Sequence, residues 1–227
     1  MTPTWGSHQL LDYQPPPDEG LGVVFSDEHL VVVDKPAGLL SVPGRGERMA
    51  DCLAVRVQRV FPDAMVVHRL DMDTSGLLVM ARGADIQRRL SGLFMSRQVD
   101  KRYVAVVHGL LAEERGEVDL PLITDWPRRP RQKVDAEQGK PSLTRYEVVA
   151  RDQALQRTRV ALEPVTGRSH QLRVHLMAIG HAIMGDPLYG PDDVRVDGSR
   201  LLLHASELAF EHPATGLGLT LRSGAPF

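Results

Sequence analysis

The chain has 227 residues, of which 42% are hydrophobic and 25% are charged, and this balance excludes a largely disordered protein. The single cysteine, Cys52, excludes an internal disulfide and a cysteine-rich zinc site, and it favours a reducing, cytoplasmic compartment. The net charge of -2 gives no overall attraction to nucleic acid or to an anionic membrane. Residues 1–20 contain three consecutive prolines and no apolar run long enough for a signal peptide or a membrane span, which predicts a flexible leader.

The pattern of apolar residues predicts more strands than helices. Apolar runs at residues 22–25 and 30–33 flank a polar turn and predict a hairpin. Helical spacing predicts a helix from an N-cap at Asp51 to Pro62, a second at residues 85–97, and a third from an N-cap at Ser169 to residue 179. Further strands are predicted at residues 65–68, 77–80, 103–108, 144–150, 158–163 and 201–205. Because the strands come in runs, we expect one α+β domain over residues 21–227 with a largely antiparallel mixed sheet.

The charge is distributed unevenly along the chain. Residues 1–50 carry three basic and seven acidic side chains, whereas residues 126–173 carry eleven basic and five acidic ones. The first stretch is therefore -4 and the second +6. A fold that gathers the second stretch on one face could attract phosphates, although arginines on solvated strands would give the same count.

The densest polar cluster, residues 68–76, lies between two apolar runs. Asp71 and Asp73 could accept backbone N–H groups in Asx turns, which would make the cluster structural. Alternatively, Asp71 could act as a nucleophile or base beside the cation Arg69. Carboxylates two residues apart cannot easily flank a sugar as a glycosidase requires, so one carboxylate with cationic partners is the better functional hypothesis.

Two further segments carry candidate binding residues. Residues 166–175 open the third predicted helix, where Arg168 could meet an anion or simply complete a cap. His170 and His175 are five residues apart and do not form the metal-binding pair of a helix face, so no metal site is predicted. Residues 125–133 are stiffened by two prolines and contain four cations suited to a phosphate backbone or to a solvated loop, namely Arg128, Arg129, Arg131 and Lys133. Tyr103, taken alone, is typical of a core strand residue.

Together, several motifs resemble the ribosomal large-subunit pseudouridine synthase family. Residues 68–78, HRLDMDTSGLL, match its signature most closely. The resemblance continues in the same order through residues 35–38, 101–105, 166–175, 185–190 and 202–205, and it covers essentially residues 21–227. Residues 120–133 and 139–141 resemble the dual-specificity synthase A branch, which acts on 23S rRNA and on the tRNA anticodon stem-loop. Many relatives carry an N-terminal S4 domain, which is not expected here.

The resemblance implies the pseudouridine synthase fold, with a central RNA-binding cleft and three catalytic residues. Asp71 matches the essential aspartate that acts on the ribose of a target uridine, either by attack on C1′ or by removal of a C2′ proton. Arg168 is assigned as the basic partner of that aspartate, and Tyr103 matches the tyrosine that stacks on the flipped base and helps to handle the C5 proton. Arg69 matches the arginine that fills the gap left by the flipped nucleotide.

The same resemblance implies a monomeric RNA isomerase that needs no cofactor and binds neither DNA nor a membrane. Arg128, Arg129, Arg131 and Lys133 would then contact phosphates of the RNA. Two alternatives remain open at this stage. One is a non-catalytic RNA-binding module in which Asp71 only caps a turn, and the other is a metal-independent hydrolase of a sugar or phosphate substrate.

Overall fold

The computed structural model describes residues 13–191, 194 and 200–227. Within these residues, twelve strands and three α-helices form a mixed α+β arrangement in which the strands occur in runs. The helices are α1 (Leu53–Val60), α2 (Ala84–Met95) and α3 (Gln171–Ala178). The strands are β1 (Gly22–Ser26), β2 (Leu30–Lys35), β3 (Ala64–Val66), β4 (Ser75–Arg82), β5 (Asp100–His108), β6 (Arg115–Asp119), β7 (Leu122–Thr124), β8 (Gln132–Val134), β9 (Leu143–Asp152), β10 (Arg157–Pro164), β11 (Leu203–Glu211) and β12 (Gly218–Arg222).

Ten of these strands form one sheet, and β7 and β8 form a small ribbon. The sheet runs in the order β1-β2-β4-β11-β5-β10-β9-β6, with β3 paired to β4 and β12 paired to β11. Among the described pairings, only β4 and β11 run parallel. Gly76 lies at this parallel junction with a φ of 112°, and a Cβ there would be only 2.3 Å from the Ala205 carbonyl oxygen. Glycine is therefore required where the chain enters β4 from the polar loop.

The middle of the sheet is covered on both faces. Alternate residues of β4 point to opposite sides, so Leu78 and Met80 pack in the cluster with α1 while Leu77 and Val79 pack in the cluster with α2. A third cluster joins β5 and β10 to Leu172 of α3. Strands buried on both sides explain why the central segments are continuous apolar runs rather than alternating ones. The predicted α+β class and the largely antiparallel sheet are confirmed.

Both predicted side-chain caps are wrong. The N-cap of α1 is Cys52, because the Asp51 carboxylate instead binds Arg56 through two hydrogen bonds of 3.0 and 2.6 Å. The N-cap of α3 is His170, which has the left-handed φ of 53°, so α3 begins two residues after Ser169. In both places, a tertiary contact or a tight turn determines the helix start in place of the local capping preference.

The strands that the sequence did not predict are short and lie on margins. β6 and β12 have mostly exposed side chains, and β7 and β8 have three residues each. Such segments carry too few buried positions to show a periodic pattern. Neighbouring strands supply their hydrogen bonds instead, as β9 does for β6 and β11 does for β12.

The described part of the predicted leader, residues 13–20, lies against α1 and the segment before it. The Tyr13 hydroxyl donates to the Asp51 carbonyl at 3.0 Å and accepts the Leu40 amide at 3.1 Å. Arg56 donates to the Pro16 carbonyl at 2.7 Å. Hydrogen bonds therefore connect these residues to the domain, while residues 1–12 lie outside the described part.

Candidate active site

The polar loop between β3 and β4 faces the start of α3 across a cleft of about 1780 Å³. Asp71, Tyr103 and His170 all line this cleft. Ser41 holds the loop from behind, since its hydroxyl donates to the Leu70 carbonyl at 2.7 Å and accepts the Leu70 amide at 3.1 Å. The loop is thus held next to the residue that precedes Asp71, which gives the Asp71 side chain a defined direction.

The Asp71 carboxylate contacts an arginine that is itself rigidly held. Arg173 Nη1 lies 3.3 Å from Asp71 Oδ2, and the other edge of the same guanidinium binds Asp186 through hydrogen bonds of 2.8 and 2.7 Å. Asp186 is fully buried and also accepts the Leu188 and Tyr189 amides. Two parallel hydrogen bonds fix the plane of the guanidinium, so Arg173 presents its remaining N–H groups to Asp71 in one orientation.

The charge on Arg173 is secured by its neighbours. Burial of the guanidinium acts to lower the pKa of Arg173, but the Asp186 carboxylate, together with Asp71 and Asp73, raises that pKa above its usual value. A permanent cation at this position stabilises a negative charge on Asp71. The Asp71 side chain keeps 27% of its surface exposed to the cleft, whereas Arg173 keeps 2%, so a ligand can reach the carboxylate but not the arginine.

His170 and Tyr189 form a second support beside the same carboxylate. His170 Nε2 lies 3.9 Å from Asp71 Oδ1, and His170 Nδ1 is hydrogen-bonded to the Tyr189 hydroxyl at 2.7 Å. Burial lowers the pKa of His170, and the nearby Asp71 carboxylate opposes that effect. The Tyr189 ring also lies under the Arg173 guanidinium, 5.2 Å from its Cζ. Three groups around Asp71 are therefore linked to one another.

A buried lysine holds the loop from its other side. Lys35 is fully buried at the end of β2, and its Nζ donates to the carbonyls of Pro36, Leu39 and Met72 at 2.9, 2.6 and 2.8 Å. Burial lowers the pKa of Lys35 to about 7, while the Asp73 and Asp71 carboxylates favour its charged form. The bond to Met72 ties the residue after Asp71 to the sheet, so Lys35 is a positioning residue that sequence reasoning missed.

Tyr103 lies on β5 and lines the cleft together with Asp71 and Arg173. We refer to these three residues as the floor of the cleft. The Tyr103 ring packs partly against two of the apolar clusters and also lines the cleft. Burial raises the pKa of Tyr103 above its usual value, and the Asp71 charge raises it further. The phenol is therefore neutral at neutral pH. This strand residue has one face in the core and one face available to a ligand, which the sequence pattern alone could not distinguish from a core tyrosine.

The arginine that contacts Asp71 is Arg173 and not Arg168. Arg168 is exposed at the cleft rim, where its Nε donates to the Pro141 carbonyl at 3.4 Å. Arg168 precedes α3, whereas Arg173 lies in its first turns on a helix whose first six residues are all buried. The sequence pattern could not show this difference, because only the structure shows that every side of the first turns of α3 is buried.

The Asx-turn hypothesis for Asp71 has no support among the described residues, where no backbone N–H donates to its carboxylate. Asp73 lies nearby in the cleft lining, and burial raises its pKa while Arg173 and Lys35 oppose that rise. Within the described part of the chain, no group of three metal-ligating side chains is arranged to hold an ion.

The predicted RNA-binding cations are arranged differently from one another. Arg69 is exposed in the cleft lining. Arg128, in the loop between β7 and β8, pairs with Asp125 at 2.7 Å, and Lys133, on β8, pairs with Asp135 at 2.9 Å. Arg129 stacks on the exposed Trp126 at 4.6 Å, and Arg131 lies 5.4 Å from the Tyr189 ring centre. Residues 125–135 therefore neutralise part of their own positive charge.

Known proteins resemble this chain in sequence and in fold. The family profile described as RNA pseudouridylate synthase matches residues 29–178. The chain belongs to the RNA pseudouridylate synthase family. It is 50% identical to a dual-specificity RNA pseudouridine synthase RluA of Escherichia coli strain K12 over 219 residues, which cover 96% of this chain and 99% of that protein. It is also 50% identical to the protein of the same name from Pasteurella multocida strain Pm70, over 91% of this chain and 94% of the relative.

Solved structures of this RNA pseudouridylate synthase family have the same fold. The human RNA pseudouridylate synthase domain containing 1 aligns with a TM-score of 0.78 and 30% identity over 94% of this chain and 87% of the human one. The human domain containing 4 aligns with a TM-score of 0.71 and 26% identity over 90% and 88%. The predicted family, fold and enzyme class are confirmed, and neither the hydrolase nor the non-catalytic alternative is supported. None of the described helices is both long and apolar enough to cross a membrane.

Proposed function

We propose that this chain isomerises specific uridines to pseudouridine in 23S rRNA and in the tRNA anticodon stem-loop. The identity of about half over almost the full length of dual-specificity relatives supports both substrates. Pseudouridine formation breaks the N1–C1′ bond of the uridine and joins C5 to C1′, while C5 loses a proton and N1 gains one. The atoms balance within one nucleotide, so we propose a reaction without a cofactor.

In this proposal, Asp71 is the catalytic carboxylate. The observation that carries it is the chain of contacts from the reachable Asp71 through the buried Arg173 to the fully buried Asp186. Attack on C1′ and removal of the C2′ proton both require a charged, oriented carboxylate, and the arginine supplies the charge stabilisation for either route. Arg173 thereby takes the part that the sequence assigned to Arg168, and Arg168 becomes a candidate contact for RNA at the rim.

Tyr103 is the second catalytic residue of the proposal. A uridine inside a stacked RNA must leave its stack to reach the Asp71 carboxylate, which costs a few kcal/mol. An aromatic face at the cleft floor offsets this cost by stacking on the extruded base. The neutral phenol next to Asp71 is also placed to take part in handling the C5 proton.

The remaining predicted residues contact RNA outside the cleft floor. Arg69 lies two residues before Asp71 and lines the cleft, where we propose that its guanidinium fills the gap left by the flipped base. We propose phosphate contacts for the four cations of residues 128–133, of which Arg129 and Arg131 stack on aromatic rings while Arg128 and Lys133 already have carboxylate partners. We propose further that the chain acts as a monomer in the cytoplasm, where rRNA and tRNA are made.

The test is tritium release from RNA labelled at uridine C5, measured on 23S rRNA hairpins and on anticodon stem-loops. The parent protein should release tritium from both RNAs. Asp71→Asn keeps the size of the side chain and removes its charge, so release should fall at least about 10²–10⁴-fold while RNA binding persists. Asp85→Asn is the matched control, since Asp85 lies on the exposed face of α2. Equal release by parent and Asp71→Asn would remove Asp71 from the mechanism, and release from neither RNA would refute the isomerase proposal.

A further inference from the structure

Arg97 and Lys101 are two of the cations of the cleft lining that were not among the predicted RNA contacts. Arg97 lies between α2 and β5, and Lys101 is the second residue of β5. Both line the cleft that contains Asp71 and Tyr103. We refer to Arg97 and Lys101 together as the cationic wall, because they stand at the side of the cleft formed by the end of α2 and the start of β5.

Among the described residues, neither side chain of the cationic wall has a carboxylate within ion-pairing distance. In contrast, Arg88 and Arg89 of α2 both pair with Asp85. Arg97 is exposed and holds a left-handed φ of 60° at the turn after α2. Because these two side chains have no carboxylate partner at the mouth of the cleft, positive charge remains available there for a ligand.

The two charges of the cationic wall also act on each other and on the cleft. Burial lowers the pKa of Lys101, and the Arg97 charge lowers it further. Lys101 Nζ lies 4.0 Å from the point where a Cβ on Gly167 would be placed. The Lys101 side chain therefore lies close to the segment that contains Arg168. Like charges held close together cost free energy in the unbound protein, and an anion bound between them would remove that cost.

We propose that the cationic wall binds backbone phosphates of the RNA strand next to the flipped uridine. This inference rests on the proposed function, because a uridine bound over Tyr103 necessarily brings its flanking phosphates to the sides of the same cleft. The floor is occupied by Asp71 and Tyr103, so the strand must leave along a wall. Side-chain cations without a protein partner match phosphate oxygens and contribute without reading the base.

The experiment measures RNA affinity as a function of salt with the full chain. A labelled anticodon stem-loop is titrated by fluorescence anisotropy at several KCl concentrations with the parent and with Arg97→Gln/Lys101→Gln. Each phosphate contact on single-stranded RNA contributes about 0.7 to the slope of log K against log salt, so the double variant should lose about 1.4 of slope. At about 0.1 M salt, the loss of about 1.4 in slope corresponds to a rise in Kd of roughly 25-fold.

A matched control separates this effect from the change in net charge. Arg88→Gln/Arg222→Gln removes the same two charges from exposed ion pairs with Asp85 and Glu207, away from the cleft lining. An unchanged slope for the wall variant, or an equal loss in the control, would overturn the inference. An acidic protein partner in place of RNA would also leave the RNA slope unchanged.

A single variant guards against misfolding. If Lys101→Gln lowers the Tm, the exposed Arg97→Gln alone should still lose about 0.7 of slope, and Arg97→Lys should retain it. Tritium release by the parent tells the two proposals apart. An active parent with an unaltered slope in Arg97→Gln refutes only the wall, whereas an inactive parent refutes the isomerase proposal whatever the slope.

Discussion

The floor and the rim of the cleft differ in whether their arginines are buried and paired with carboxylates. On the floor, Arg173 is 2% exposed and shares one guanidinium between Asp71 and Asp186. On the rim, Arg69, Arg97 and Arg168 are exposed, and none of them has a carboxylate partner among the described residues. The floor is fixed before a substrate arrives, whereas the rim keeps its cations available. The reaction needs one orientation of one carboxylate. RNA binding needs exposed cations that can bind phosphates reversibly.

The difference also shows why charge counts along a sequence can mislead. Several basic residues of the +6 stretch are neutralised by carboxylates from outside it, as Arg145 is by Glu117 and Arg151 is by Glu114. The unpaired cations of the cleft include Arg69, Arg97 and Lys101, all of which precede residue 126. Local charge at a binding site therefore depends on which carboxylates fold next to which cations.

Removal of the buried Asp186 carboxylate should have the largest effect on the stability of the cleft floor. Asp186→Asn removes the two-bond carboxylate partner of the buried Arg173 and leaves only the longer contact to Asp71, so the free energy of unfolding should fall by up to about 3–5 kcal/mol. Urea unfolding measures this change. In contrast, Asp85→Asn in the exposed pair on α2 should cost less than about 1 kcal/mol. Similar losses in both variants would contradict the distinction between a fixed floor and an adaptable surface.

A second test decides which arginine serves Asp71. Lysine keeps the charge but cannot make the planar, two-sided contact, so Arg173→Lys should lower the single-turnover rate of tritium release about 10²-fold. Arg168→Lys should keep the parent rate at saturating protein, because Arg168 only touches the Pro141 carbonyl. The reverse ranking of the two variants would restore Arg168 as the partner of Asp71.

A third, smaller effect concerns the support behind the loop. His68 Nε2 accepts a hydrogen bond from the Val79 amide at 3.1 Å, and the His68 ring stacks on Phe94 at 4.4 Å. The hydrogen bond requires a neutral imidazole, because a protonated Nε2 cannot accept. Burial, with the Lys101 charge, lowers the pKa of His68 to about 3, below the usual 6.5. The unfolded chain thus binds a proton that the folded chain excludes, so stability present above pH 6.5 is lost as the pH falls toward 3.

The size of this loss is at most about 1.4 kcal/mol for each pH unit in that window. Urea unfolding of parent and His68→Gln at pH 7, 6 and 5 measures it, because glutamine can accept the same amide but does not titrate there. The parent should lose more stability than the variant as the pH falls. Parallel pH profiles would show that His68 is not the titrating group.

Much of the fold could be predicted because its signals are local. The three helices carry apolar residues at helical spacing, and the hairpin of β1 and β2 and the long central strands carry short apolar runs. The helix caps at Asp51 and Ser169 could not be predicted correctly, since each depends on a distant contact or a turn. The short marginal strands had no local pattern of their own, and the described residues of the leader are hydrogen-bonded to residues distant in sequence, namely Leu40, Asp51 and Arg56.

By itself, the sequence determined the family, the α+β class and the identity of Asp71 and Tyr103 as candidates, because these depend on motifs and on periodic burial. Tertiary structure alone decided that Arg173 rather than Arg168 meets Asp71, that Lys35 holds the loop, and that Arg97 and Lys101 stand unpaired at the cleft. The physical reason is that an ionic contact depends on the distance between groups far apart in sequence. Burial and pairing, which set the strength of each charge, exist only once the sheet has brought those groups together.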